Sequence, residues 1–237
     1  MLRIASILPL LAGLLLLALP ARALEGGDAA ALRAQEIAEC RPAEITHWGD
    51  GRDRPALASP LRLVYDPAGA PPWFAPQQVL QALLRAAEAW SGGCGVPATV
   101  LPLAPGASAE RLPEGTVLVQ WNDAQVRGHF GLAHVGLRRL WLGAQAFHTL
   151  RTRNPAHPAE TTLQMVISHE MGHLFGLMAH SSRCVDVMSY YTNGQGERCQ
   201  SRADITRWRG DYRALLPTAC DLARCRAVNA GAQTAQR

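Results

Sequence analysis

The stretch ETTLQMVISHEMGHLFGL, residues 160–177, constrains this chain more than any other. Leu163, Val166, Ile167, Leu174 and Leu177 recur at helical spacing, so the segment predicts a helix with an apolar, core-facing side. His169, Glu170 and His173 fall in the middle of that pattern. Imidazoles and a carboxylate taken out of water are costly unless they are hydrogen-bonded or bound to something. A fold that buries this helix must therefore give those side chains partners.

Residues four apart on an α-helix lie about 40° apart around the axis and ~6 Å along it. His169 and His173 thus face one point in space, and two imidazoles so placed suit a single tetrahedral ion. Zinc is the expected ion, and one catalytic zinc is the expected cofactor. Glu170 lies beside the pair and is placed to reach a water on the metal without ligating the metal. Zinc brings the pKa of such a water toward ~7, and a carboxylate takes its proton as it attacks a polarised carbonyl. The bland alternative is a surface helix with two unrelated histidines, which the apolar residues around the motif argue against. Gly176 ends the pattern as a left-handed glycine ends many helices, and such a turn swings the following chain back toward the histidines.

Composition sets the frame around this helix. The 237 residues are 48% hydrophobic and 18% charged, which suits one compact domain with a core of its own. The formal charge is only +4, every cation is arginine, and no basic stripe for nucleic acid is present. Residues 1–23 hold Arg3, an apolar run and then Ala21-Arg22-Ala23, the layout of a signal peptide cleaved after Ala23. Pro9 and Pro20 interrupt that run, and it is short for a membrane span. No cysteine follows the cleavage site to take a lipid. The expectation is an exported monomer, secreted or periplasmic, with no membrane contact once the leader is removed.

Export changes how the cysteines read. Cys40, Cys94, Cys184, Cys199, Cys220 and Cys225 form an even set, expected in an oxidising compartment to make three disulfides. Six cysteines allow 15 connectivities. Local spacing favours Cys184–Cys199 and Cys220–Cys225, leaving Cys40–Cys94 to tie the N-terminal arm to the body.

Along the chain, residues 24–57 form an arm without clear periodicity, with GDGRDRP reading as loop. Strands are expected at 61–66, 98–103 and 116–123, and two short ones within 131–144. Val79, Leu80, Leu83, Leu84, Ala87 and Trp90 predict a helix over 75–90, and a last helix is expected near 203–216. Residues 58–225 form the expected domain and 226–237 a flexible tail. The order of elements implies an α+β fold with mostly non-parallel strands. Trp90, Trp121 and Trp141 are expected in the core. His47, His129, His134, His148 and His157 read as ordinary polar residues.

HEMGHLFG with a nearby histidine and the later DVMSYY resembles the metzincin metallopeptidases, whose signature is H-E-x-x-H-x-x-G-x-x-H followed by a Met-turn. The resemblance implies a twisted mixed sheet with two long helices in an N-terminal lobe, and a small C-terminal lobe with the Met-turn and a final helix. It makes Met188 the Met-turn methionine. MSY is similar to the serralysin-type form, which makes Tyr190 an extra ligand or a donor to the oxyanion. GLAHVG resembles the matrixin edge strand that pairs with extended substrate, so Gly131, Leu132 and Ala133 become that strand.

The family places its third ligand ten residues after the first, which here is Ala179; His180 comes one later. Loop geometry beyond a helix end absorbs one residue, and His180 is the expected third ligand. Asp186, or two histidines with water, are the alternatives. Snapalysin-type members carry an Asp and then a His at these positions, and this chain keeps the His. CGVP, residues 94–97, resembles part of a cysteine-switch motif, but its place after a helix suits a half-cystine better. No Ca²⁺ loop of the D-x-[DN]-x-[DN]-G type is present, and calcium dependence stays open. The activity implied is zinc-dependent endopeptidase action on extended peptide. A catalytically idle zinc-binding module and a processing protease with one partner substrate are the alternatives.

Overall fold

A computed structural model describes residues 22–234. The expected leader lies outside the described residues except for its last two. The fold is α+β, with a five-stranded mixed sheet and six α-helices among the described residues.

Strand β1 (Leu61–Tyr65) buries Leu61, Leu63 and Tyr65 and exposes Arg62, the period-2 pattern of a strand with one face on the core. Helix α2 (Pro76–Cys94) follows and buries Val79, Leu83, Ala86, Ala87 and Trp90 along one side. Strand β2 (Ala98–Pro102) returns parallel to β1, with Ala98 opposite Leu61. Strand β3 (Thr116–Trp121) lies parallel to β1 on its other side. Val117, Leu118 and Val119 are all buried, as a central strand covered on both faces requires.

Strands β4 (Gly131–His134) and β5 (Arg139–Leu142) form an antiparallel hairpin whose β5 lies parallel to β3. The order is β2-β1-β3-β5-β4, and β4 is an edge. The strands stand close to where alternation puts them, but three of the four pairings are parallel, which corrects the expectation of mostly non-parallel strands. Alternation tells which face a residue takes. Direction is set by crossovers, such as α2 carrying the chain back to the starting end of the sheet.

Helices α3 (Asp123–Val126) and α4 (Ala144–Arg153) come before the long helix α5 (Ala159–Leu174). α5 packs against both α2 and β4. Trp90 Nε1 donates to Ser168 O at 2.9 Å, and Gln164 Nε2 donates to Ala82 O at 3.1 Å. These bonds fix the rotation of α5, and with it the direction in which its histidines point. The three tryptophans expected in the core are buried.

Two expectations fail toward the C-terminus. Residues 203–216 are mostly loop, with a short 3-10 turn at Ile205–Arg207 capped by Asp204, whose side chain accepts from Thr206 N. The last helix, α6, spans Ala219–Thr234 and starts where Thr218 Oγ1 accepts from Asp221 N. Residues 226–234 therefore continue α6, in place of the expected flexible tail. Asn229 is buried, donates to Phe175 O at 3.0 Å and accepts from Ala56 N at 2.8 Å.

The arm also has structure. Helix α1 (Arg22–Ala38) packs on α6 and buries Glu36, which accepts from Arg202 N at 2.8 Å and from the Tyr212 hydroxyl.

Three disulfides join these parts. Cys184–Cys199 forms as expected, but the others are Cys40–Cys220 and Cys94–Cys225. Both Cys220 and Cys225 lie on α6, where five residues span ~7.5 Å of axis, beyond a disulfide's reach. Each bridges instead to another part of the chain, Cys40 two residues past the arm helix or Cys94 at the end of α2. No described helix is long and apolar enough to cross a membrane.

Candidate metal centre

His169 and His173 leave α5 toward the cleft with ring centroids 5.1 Å apart. The helix ends at Leu174, and Gly176 takes φ +104 with the Arg54 carbonyl where a Cβ would be. Only glycine permits that reversal and that contact together. The chain then turns back and sets the His180 ring 5.2 Å from His169 and 5.1 Å from His173. One ring nitrogen from each of the three histidines lies within 4.8 Å of the other two.

The other ring nitrogens settle which atoms face the common point. His169 Nδ1 donates to Val187 O, His173 Nδ1 to Leu177 O and His180 Nδ1 to Asp50 Oδ2, each at 2.7 Å. With the proton on Nδ1, every Nε2 keeps its lone pair. His180 Nε2 is buried and has no hydrogen-bond partner. An orphaned lone pair facing two more imidazoles is what a zinc site with an open fourth position requires, so the donor set fits zinc.

Electrostatics favour the neutral rings. Burial holds His169 well below the usual histidine range and His173 at about 4, and the neighbouring imidazoles add to the effect. Burial also lowers His180, although the Asp50 carboxylate works the other way.

Glu170 sits beside the trio. Burial pushes its carboxyl up to about 7, opposed by a hydrogen bond from Ala133 N to Oε2 at 2.7 Å. Gly131, Leu132 and Ala133 form the edge strand over this carboxylate, and Leu132 is exposed. Tyr190 stacks on His180 with ring centroids 3.9 Å apart and is 43% exposed. Burial of its hydroxyl pushes that group up to about 12. Met188 is fully buried under α5, its sulfur against Gly172. A pocket of about 130 Å³ opens beside Glu170 and Tyr190, walled by Phe130, Met165, Val166 and Arg213.

Asp186 is held elsewhere. It is buried, accepts from Ser181 Oγ at 2.6 Å and Thr218 Oγ1 at 2.6 Å, and pairs with Arg183 at 3.1 Å. Cys94 of CGVP is bonded to Cys225 and is no switch. Asp50 could not be read from the sequence. GDGRDRP carries only a loop signal, and nothing local says that its first aspartate meets a histidine 130 positions away.

No known family profile matches the chain, and no curated protein does. Among solved structures, a zinc-dependent peptidase from Methanocorpusculum labreanum is 15% identical, with 60% of this chain and 95% of that one covered and a TM-score of 0.33. That likeness is too slight to carry fold or chemistry across.

Proposed function

We propose that the chain is an exported zinc metalloendopeptidase of metzincin type. The observation that carries this reading is the convergence of three Nε2 lone pairs beside a buried glutamate at a sheet edge. His169, His173 and His180 would hold zinc, which supplies Lewis acidity toward the scissile carbonyl and toward water.

The protein's own groups do the rest. Ala133 N–H points into the cleft and is held by Glu170, and by the alternation of an antiparallel edge the main-chain groups of Gly131 and the Ala133 carbonyl face the open side. An extended peptide adds to that edge as a further strand, which brings its scissile bond over Glu170. Glu170, buried beside the three histidines, takes a proton from the attacking water and later gives it to the leaving amine. Ala133 holds Oε2 and leaves Oε1 to do this. The Tyr190 hydroxyl, kept protonated well above neutral pH, donates to the oxyanion. Met188 floors the site as a Met-turn does.

The test is cleavage of an unfolded protein by the zinc-loaded mature chain, with Glu170→Gln beside it. Cleavage should fall by about 10²–10⁴-fold in the variant while zinc content stays the same. No cleavage by either form at full zinc occupancy would overturn the peptidase reading.

A further inference from the structure

The arm supplies none of the three histidines, yet residues 48–57 run opposite the turn that carries His180. Trp48 N donates to His180 O at 3.0 Å, Arg54 N to Gly176 O at 3.0 Å and Leu57 N to Leu174 O at 2.9 Å. Asp53 Oδ1 accepts from Met178 N at 2.9 Å and Ala179 N at 3.1 Å, and Arg224 anchors the same carboxylate. Within this clasp Asp50 makes two bonds to one residue. Its Oδ1 accepts from the His180 main-chain N–H at 2.9 Å and its Oδ2 from Nδ1 at 2.7 Å.

His180 needs such a grip more than its partners do. His169 and His173 are aimed by a helix, and their Nδ1 atoms donate to the main-chain carbonyls of Val187 and Leu177 respectively. His180 lies past the helix end, where no helical period fixes its direction. It is the one histidine of the three whose Nδ1 meets a carboxylate. That partner sets ring rotation and tautomer and strengthens Nε2 as a donor.

We propose that Asp50 is a positioning residue of the metal centre, gripping the main-chain and ring N–H groups of His180 so that Nε2 meets the point His169 and His173 face. Residues 46–57 are then a fixed part of the site and not a removable inhibitory segment. The inference rests on the zinc-centre reading above.

Zinc affinity of the full mature chain, measured by chelator competition, tests it. The set is wild type, Asp50→Ala, Asp50→Asn, His180→Ala and the Asp50→Asn/His180→Ala double variant. Loss of Asp50 should weaken zinc binding by about 10–100-fold. The near-isosteric Asn keeps an acceptor in place and guards against simple unfolding. In the His180→Ala background the Asn change should have no further effect, because the group it positions is gone. The cobalt(II)-loaded Asn variant should also show shifted ligand-field bands.

Unchanged zinc affinity in Asp50→Asn would overturn the proposal. So would an equal loss with and without His180, which marks a general structural effect. A wild-type chain that binds no zinc would overturn the zinc-centre reading itself, and this inference with it.

Discussion

The Val187 carbonyl accepts from His169 Nδ1 at 2.7 Å, while the N–H of the same residue donates to Asp221 Oδ2 at 2.9 Å. One residue thus joins a candidate ligand to a buried carboxylate on α6. Burial, and then the charge of Asp186, push Asp221 up to about 7. A carboxyl raised on folding stabilises most below its ordinary pKa, and that contribution is lost as pH rises toward the folded value. Asp221→Asn keeps an acceptor for Val187 and removes the ionisation. The stability difference, variant minus wild type, should therefore rise between about pH 4 and pH 7 and level off above. Thermal unfolding in chelator across that range checks this, and parallel pH curves would contradict it.

Metal removal should also register in stability. Three imidazoles held uncharged cost the folded protein little to present to a metal, whereas the unfolded chain has no preformed site. A ligand at 100 times its Kd stabilises the native state by about 2.7 kcal/mol. For a chain of this size, chelation should then lower Tm by roughly 5–10 °C, and one equivalent of zinc should restore it. A Tm indifferent to chelator and zinc would argue against a preformed site.

The disulfides make a third prediction. A non-reducing peptide map should return Cys40–Cys220, Cys94–Cys225 and Cys184–Cys199. Replacing Cys40 and Cys220 together by serine should cost about 2–5 kcal/mol, read by denaturant unfolding. It should also weaken zinc binding, since Cys40 anchors the segment that ends in Asp50. A map showing Cys220–Cys225 would contradict the helical placement of both.

What could be read in advance divides by range. Alternating Leu61, Leu63 and Tyr65 fix a strand locally, and the apolar spacing of Leu163, Ile167 and Leu174 fixes a helix, so β1 and α5 stand where pattern puts them. The pairing of His169 with His173 follows from the same period. Strand direction, the partners of Cys220 and Cys225, and the meeting of Asp50 with His180 depend on which elements the core brings side by side. No local period encodes that. The start of α6 is an intermediate case. Thr218 and Asp221 form a local capping pair, but the charged stretch before them gives a competing helical pattern that Asp204 instead caps as a 3-10 turn.

Gly172, inside the HEMGH motif, gives the last prediction. A Cβ there would overlap the Met188 sulfur and lie 2.8 Å from Trp90 Cζ2. Helix propensity alone favours alanine over glycine by about 1 kcal/mol. Overpacking a filled core costs about 1–3 kcal/mol, and the relief available here is small. Trp90 is held by its bond to Ser168 O and stacked on Phe175, and Met188 follows the residue whose carbonyl aims His169. Gly172→Ala should therefore destabilise the chelated protein by up to about 2 kcal/mol and weaken its zinc binding. Denaturant unfolding and zinc titration read the two effects. A variant stabilised as propensity alone dictates would show that Met188 moves freely and does not set the height of His169.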